Sequence, residues 1–218
     1  GNGDNIPRFE RLIQQHIKLF GKSPVQLFST PGRTEIGGNH TDHNNGRVLA
    51  AAIDLDSIAV ASANNTDKIV VYSEGYDKPF EIDVSQAAPV REEEGSSAAL
   101  IRGVVGGFRK RNHAVGGFSA CVTSEVLPGS GLSSSASFEV LIGTIINYLF
   151  NDGIVKPDVI AKIGQYAENT YFGKPCGLMD QIACANGGIV MIDFARPEDP
   201  SVEKMRFDLD GYGYALVI

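Results

Sequence analysis

The stretch Pro128-Gly129-Ser130-Gly131-Leu132-Ser133-Ser134-Ser135 has the composition of an anion cradle. Gly129 and Gly131 lack a Cβ, so backbone there can close on a ligand. The apolar run from Phe138 to Phe150 reads as a buried helix whose first N–H groups have no partner inside the helix. The hydroxyls of Ser133, Ser134 and Ser135 can bind phosphate or Mg²⁺, and a polyphosphate is the natural guest. No Gly-Lys-Ser/Thr follows at the spacing of a Walker loop. A serine-capped helix after a turn would share this local composition, so the stretch does not stand alone.

Two further segments carry chemistry. Pro31-Gly32-Arg33 leads into Gly38-Asn39-His40-Thr41-Asp42-His43-Asn44-Asn45-Gly46, which is dense in hydrogen-bonding groups. His40, Asp42 and His43 are metal-ligand types, but only His16 and His113 remain elsewhere and no further ligands cluster with them. The other segment is Lys174-Pro175-Cys176-Gly177-Leu178-Met179-Asp180-Gln181. Asp180 there is a carboxylate among apolar neighbours at a helix start, suited to general-base work or to capping that helix.

In this order the three blocks, PGR…GxHTDxNxG, GxGLSSSAS and PCGLMDQ, span residues 31 to 181 and resemble the galactokinase branch of the GHMP small-molecule kinases. The resemblance implies transfer of a phosphoryl group from ATP to the anomeric hydroxyl of galactose. It implies that Gly129, Ser130, Gly131, Leu132, Ser133, Ser134 and Ser135 hold ATP, and that Ser135 and Glu168 hold Mg²⁺. Asn39, His40, Asp42 and Gly177 would bind the sugar, with Asp180 as base. Arg33 would hold Asp180 charged or stabilise charge on the transferred group. Most galactokinases carry Glu where this chain has Asn39, Tyr where it has His43, and Pro where it has Leu127. An amide donates as well as accepts, so the alternatives include a kinase for galacturonate, arabinose or N-acetylgalactosamine. A regulator that binds galactose and ATP without turnover is a further alternative, disfavoured by the complete serine loop with Asp180 and Arg33.

These residues need a scaffold. Apolar spacing predicts helices over 6–20, 98–111, 133–150 and 157–171, with a short one over 178–185. Val25–Ser29 reads as a strand leading into the 33–46 loop, and 55–63, 68–73 and 79–84 as a meander of antiparallel strands. Further strands are expected at 118–124, 189–194, 203–209 and 214–218. Residues 85–96, with Arg91-Glu92-Glu93-Glu94, read as a solvated connection. The order of elements favours an α+β fold, a mixed and largely antiparallel sheet packed with helices, as in a GHMP kinase N-terminal domain.

The chain has 218 residues, 43% of them hydrophobic, which suffices for one compact domain. The resemblance implies that 1–218 is the N-terminal lobe, with a C-terminal kinase lobe as its missing partner. A net charge of −7 argues against nucleic acid as partner, and no apolar run reaches membrane-spanning length. Cys121, Cys176 and Cys184 lack the spacing of a disulfide or zinc framework, which suits buried small side chains in a cytoplasmic protein.

Overall fold

The computed structural model describes residues 5–39 and 41–207, with Gly211 and Gly213. The strand expected over 214–218 and His40 lie outside these, as do the side chains of Asp42 and His43.

The sheet comprises β1 (Gln26–Gly37), β2 (Arg47–Ala63), β3 (Lys68–Ser73), β4 (Phe80–Asp83), β5 (Phe118–Ser124), β6 (Ile189–Asp193) and β7 (Ser201–Met205). Its order is β4-β3-β5-β2-β6-β7, with β1 along the remaining edge of β2: Ala61 faces Gln26 on one side and Ala120 on the other. The expected meander is corrected here, because β5 enters between β2 and β3. It runs parallel to β3, as a crossover helix allows and a hairpin does not. That helix is α2 (Ser97–Lys110), capped by Ser96 and ending on Arg109 and Lys110, which complement its dipole.

The expected 33–46 loop is also shorter than its sequence suggests. Strand β1 continues through Pro31-Gly32-Arg33 to Gly37, absorbing register shifts after Pro31 and Glu35. Among the described residues β1 pairs with β2 alone, and an edge strand tolerates proline because one row of its N–H groups faces away from the ladder. The chain returns as a single strand of 17 residues, β2.

Side chains alternate across the strands, and both faces are covered. Ala59, Ala61, Ala120 and Val122 pack with Ile101, Val105 and Phe108 of α2 and with α3 (Ser134–Phe150) and α4 (Pro157–Ala167). Ile58, Val60 and Cys121 lie on the opposite face under Leu12 of α1 (Asn5–Phe20). There Asp56 accepts from Arg8 Nη1 at 2.6 Å and Ser29 Oγ at 2.6 Å, tying α1 to β1 and β2. Helix α3 is wedged among the sheet, α2, α4 and α5 (Met179–Asn186), which is why it is apolar almost all round. The acidic run is not wholly solvated, since Glu93 grips the buried Arg102 at 2.7 Å through both carboxylate oxygens.

Candidate active site

The glycine-rich loop joins β5 to α3 and is laid against β1. Gly32 makes this possible: a Cβ there would lie 2.9 Å from the Leu132 carbonyl and 3.0 Å from Val126. The Arg33 N–H donates to that same carbonyl at 3.1 Å. Gly129 and Gly131 take φ of 77° and 79°, and Ser133 itself is left-handed at 62°, an unusual state for a residue with a Cβ. Ser133 therefore precedes α3 without capping it, and its hydroxyl donates instead to Asp180.

The serines divide their work by position. Ser135 Oγ donates to Glu168 Oε1 at 2.9 Å, and Ser134 faces the cavity. Ser137 is fully buried, donating to the Thr30 carbonyl at 3.1 Å and bonding Ser57 at 2.9 Å, which pins α3 to β1 and β2. Asp180 occupies the first turn of α5. Its carboxylate receives Arg33 Nε at 2.6 Å and Nη2 at 2.7 Å, while Nη1 donates to the Gly131 carbonyl at 2.7 Å. A bidentate guanidinium pair of this kind fixes orientation as well as charge.

Glu168 follows α4 in one wide π-helical turn, Glu168–Phe172, closed by Gly173 at φ 81°. The extra residue in such a turn re-aims its side chains, and Glu168 is buried. Arg33, Gly129, Gly131, Ser133–Ser135, Glu168 and Asp180 thus share one cavity of about 360 Å³. Ser130 is exposed and turns its hydroxyl back onto the Leu127 carbonyl, while the Leu132 side chain is buried. Asn39 lies exposed on the turn after β1 at φ 54°, a conformation asparagine tolerates. Gly177 precedes α5 outside the cavity lining.

Four residues at this site were not expected from sequence. Gln181 Nε2 donates to Glu168 Oε2 at 3.0 Å and to Glu139 Oε2 at 3.1 Å, so one amide bridges two carboxyl groups. Glu139 is fully buried in α3. Burial first, and the neighbouring Glu168 next, hold its carboxyl well above the usual range. A lone Glu inside the run Phe138-Glu139-Val140-Leu141-Ile142 was the available signal. Cys176 is half-buried and lines the cavity, unlike the buried Cys121 and Cys184, and burial raises its thiol pKa. Lys174 lines it too.

The segments that build this cavity are those recognised in known proteins. Residues 14–63 match the galactokinase galactose-binding signature, and residues 99–188 the GHMP kinase N-terminal domain. The chain belongs to the galactokinase branch of the GHMP kinases. Galactokinase of Clostridium beijerinckii is 36% identical over 81% of this chain and 45% of that protein. Galactokinase of Clostridium acetobutylicum is 33% identical over 95% of this chain and 53% of that protein. The crystal structure of Lactococcus lactis galactokinase complexed with galactose superposes with a TM-score of 0.82 at 26% identity, covering 91% of this chain and 52% of that one. The chain spans about half the length of the galactokinases it matches. The first signature runs from α1 through β2 and brings in Arg33, and the second runs from α2 through α5 and supplies the loop, Glu168 and Asp180.

Proposed function

We propose that this chain is the sugar- and nucleotide-binding lobe of a kinase that transfers phosphate from ATP to the anomeric hydroxyl of galactose, giving galactose 1-phosphate. The observation that carries it is the Asp180 carboxylate, clamped by Arg33 and by Ser133 of the glycine-rich loop at one cavity. A group held this way stands between a hydroxyl to be deprotonated and a phosphate cradle. In the transfer the sugar oxygen attacks the γ-phosphorus, the bond to the β-phosphate oxygen breaks, and the sugar proton passes to Asp180. Arg33 orients that carboxylate.

A second cavity of about 570 Å³ adjoins the first through Leu127, Ser134 and Ser135. Val122, Val126, Phe138 and Phe172 line it, which suits the flat, largely apolar base of the nucleotide. Ser135 and Glu168 present two oxygen donors side by side, a fit for Mg²⁺, which takes few protein ligands beside phosphate oxygens. When bound, that ion would neutralise charge on the phosphates. Asn39, His40 and Asp42 are assigned to sugar recognition, on the matched galactose-binding signature. No helix among the described residues is long and apolar enough to cross a membrane, and the free cysteines suit the reducing cytoplasm.

The test is ADP release by a full-length protein carrying this lobe, measured across galactose, galacturonate, arabinose and N-acetylgalactosamine. Galactose is expected to give the highest kcat/KM. Turnover of another sugar alone would replace the substrate, and binding without ADP release would replace catalysis with sensing.

A further inference from the structure

Phosphoryl transfer needs positive charge that can follow the moving group. Among the described residues lining the Asp180 cavity, the cations are Arg33 and Lys174. Arg33 is held on three nitrogens by Asp180 and the Gly131 carbonyl, with its side chain only 10% exposed. Lys174 is placed differently. Its backbone N–H is anchored on the Glu168 carbonyl at 3.2 Å, while its side chain is 66% exposed. Its Nζ stands 3.7 Å from Glu168 Oε1, a loose pairing on a flexible stem. The cavity sets two carboxylates, Glu168 and Asp180, against these two cations. Removing Lys174 would leave a negative wall facing a polyanion.

We propose that Lys174 is the mobile cation of this site, leaving Glu168 to bind the terminal phosphates of the nucleotide and to stabilise the phosphoryl group in flight. The proposal rests on the kinase reading above. A lysine that serves only to hold the fold by pairing with Glu168 would shift Tm and leave the discrimination of triphosphate from diphosphate unchanged.

The experiment uses the full-length protein as wild type, Lys174→Met, Lys174→Arg and, as control, Lys162→Met, which alters a surface pair with Asp199 at 2.9 Å. Lys174→Met should lower kcat/KM for ATP by about 10- to 100-fold, less than the loss of a buried oxyanion donor because the site is partly open. Calorimetry should show a non-hydrolysable ATP analogue weakened more than ADP. The KM for sugar and the Tm should hold, Lys174→Arg should recover part of the loss, and Lys162→Met should behave as wild type. Unchanged ATP kinetics in Lys174→Met, or a loss shared with sugar binding and Tm, overturns the proposal and leaves the kinase reading standing. Absence of ADP release by the wild type with every sugar overturns both.

Discussion

Asp180 combines a fixed orientation with an open approach. Arg33 occupies one side of the carboxylate through two parallel hydrogen bonds, Ser133 adds a third, and a third of the side chain remains exposed. Each carboxylate oxygen has two acceptor sites, so capacity remains for a substrate hydroxyl. Asp180→Asn keeps the shape and removes the proton acceptor. In the full-length protein it should lower kcat by about 10²-fold or more, with sugar affinity changing far less. Steady-state kinetics beside direct sugar-binding titration checks this. Near-normal kcat would transfer the burden to charge stabilisation by the cations.

At the level of elements, the site depends on how closely α2 and α4 approach. A Cβ on Gly103 of α2 would come within 2.6 Å of the Ala167 Cβ and 2.7 Å of its Cα. Backbone on the facing side cannot swing away as a long side chain can, so the helices must separate. Gly103→Ala should therefore cost about 1–3 kcal/mol, the range for overpacking a tight contact. Urea denaturation should show a lower midpoint with an unchanged slope. Ala167 immediately precedes Glu168, so with the metal role proposed for Glu168 the same variant of the full-length protein should need more Mg²⁺ for half-maximal activity. A midpoint equal to wild type would show that the contact relaxes without strain.

For the whole molecule, one buried acid links folding to pH. Glu139 lies beneath the cavity, bridged by Gln181 to Glu168, and its carboxyl is raised well above 4.5 by burial and then by Glu168. Above pH 4.5 the unfolded chain releases this proton while the folded chain retains it. The stability is present below that pH and is lost as pH rises toward the folded value. Glu139→Gln keeps an acceptor for Gln181 and cannot ionise. Its stability relative to wild type should climb as pH rises above about 4.5, by at most about 1.4 kcal/mol per pH unit. Urea titrations at stepped pH check the slope, and parallel curves for the two proteins would refute the argument.

The sequence alone was enough for the family, the glycine-rich turn and the helix behind it, because these depend on local requirements. Glycine is needed where φ is positive, and an apolar run where a helix is buried. Helix α3 and strand β5 fall within a residue of their expected bounds for that reason. Pairing partners carry no local signature. Nothing around Phe118–Ser124 says that it enters between β2 and β3, and nothing around Pro31-Gly32 says that an edge strand, not a loop, delivers Arg33. The resemblance implied Arg33 beside Asp180, and the packed chain joins them across 147 residues; the bridge from Glu139 to Glu168 through Gln181 was visible only in the packed chain. Side-chain contacts between segments distant in sequence depend on how α3, α4 and α5 stack on the sheet. Local composition does not encode that stacking, so the tertiary structure decided which polar residues meet at the cavity and which, like Ser137, hold the fold.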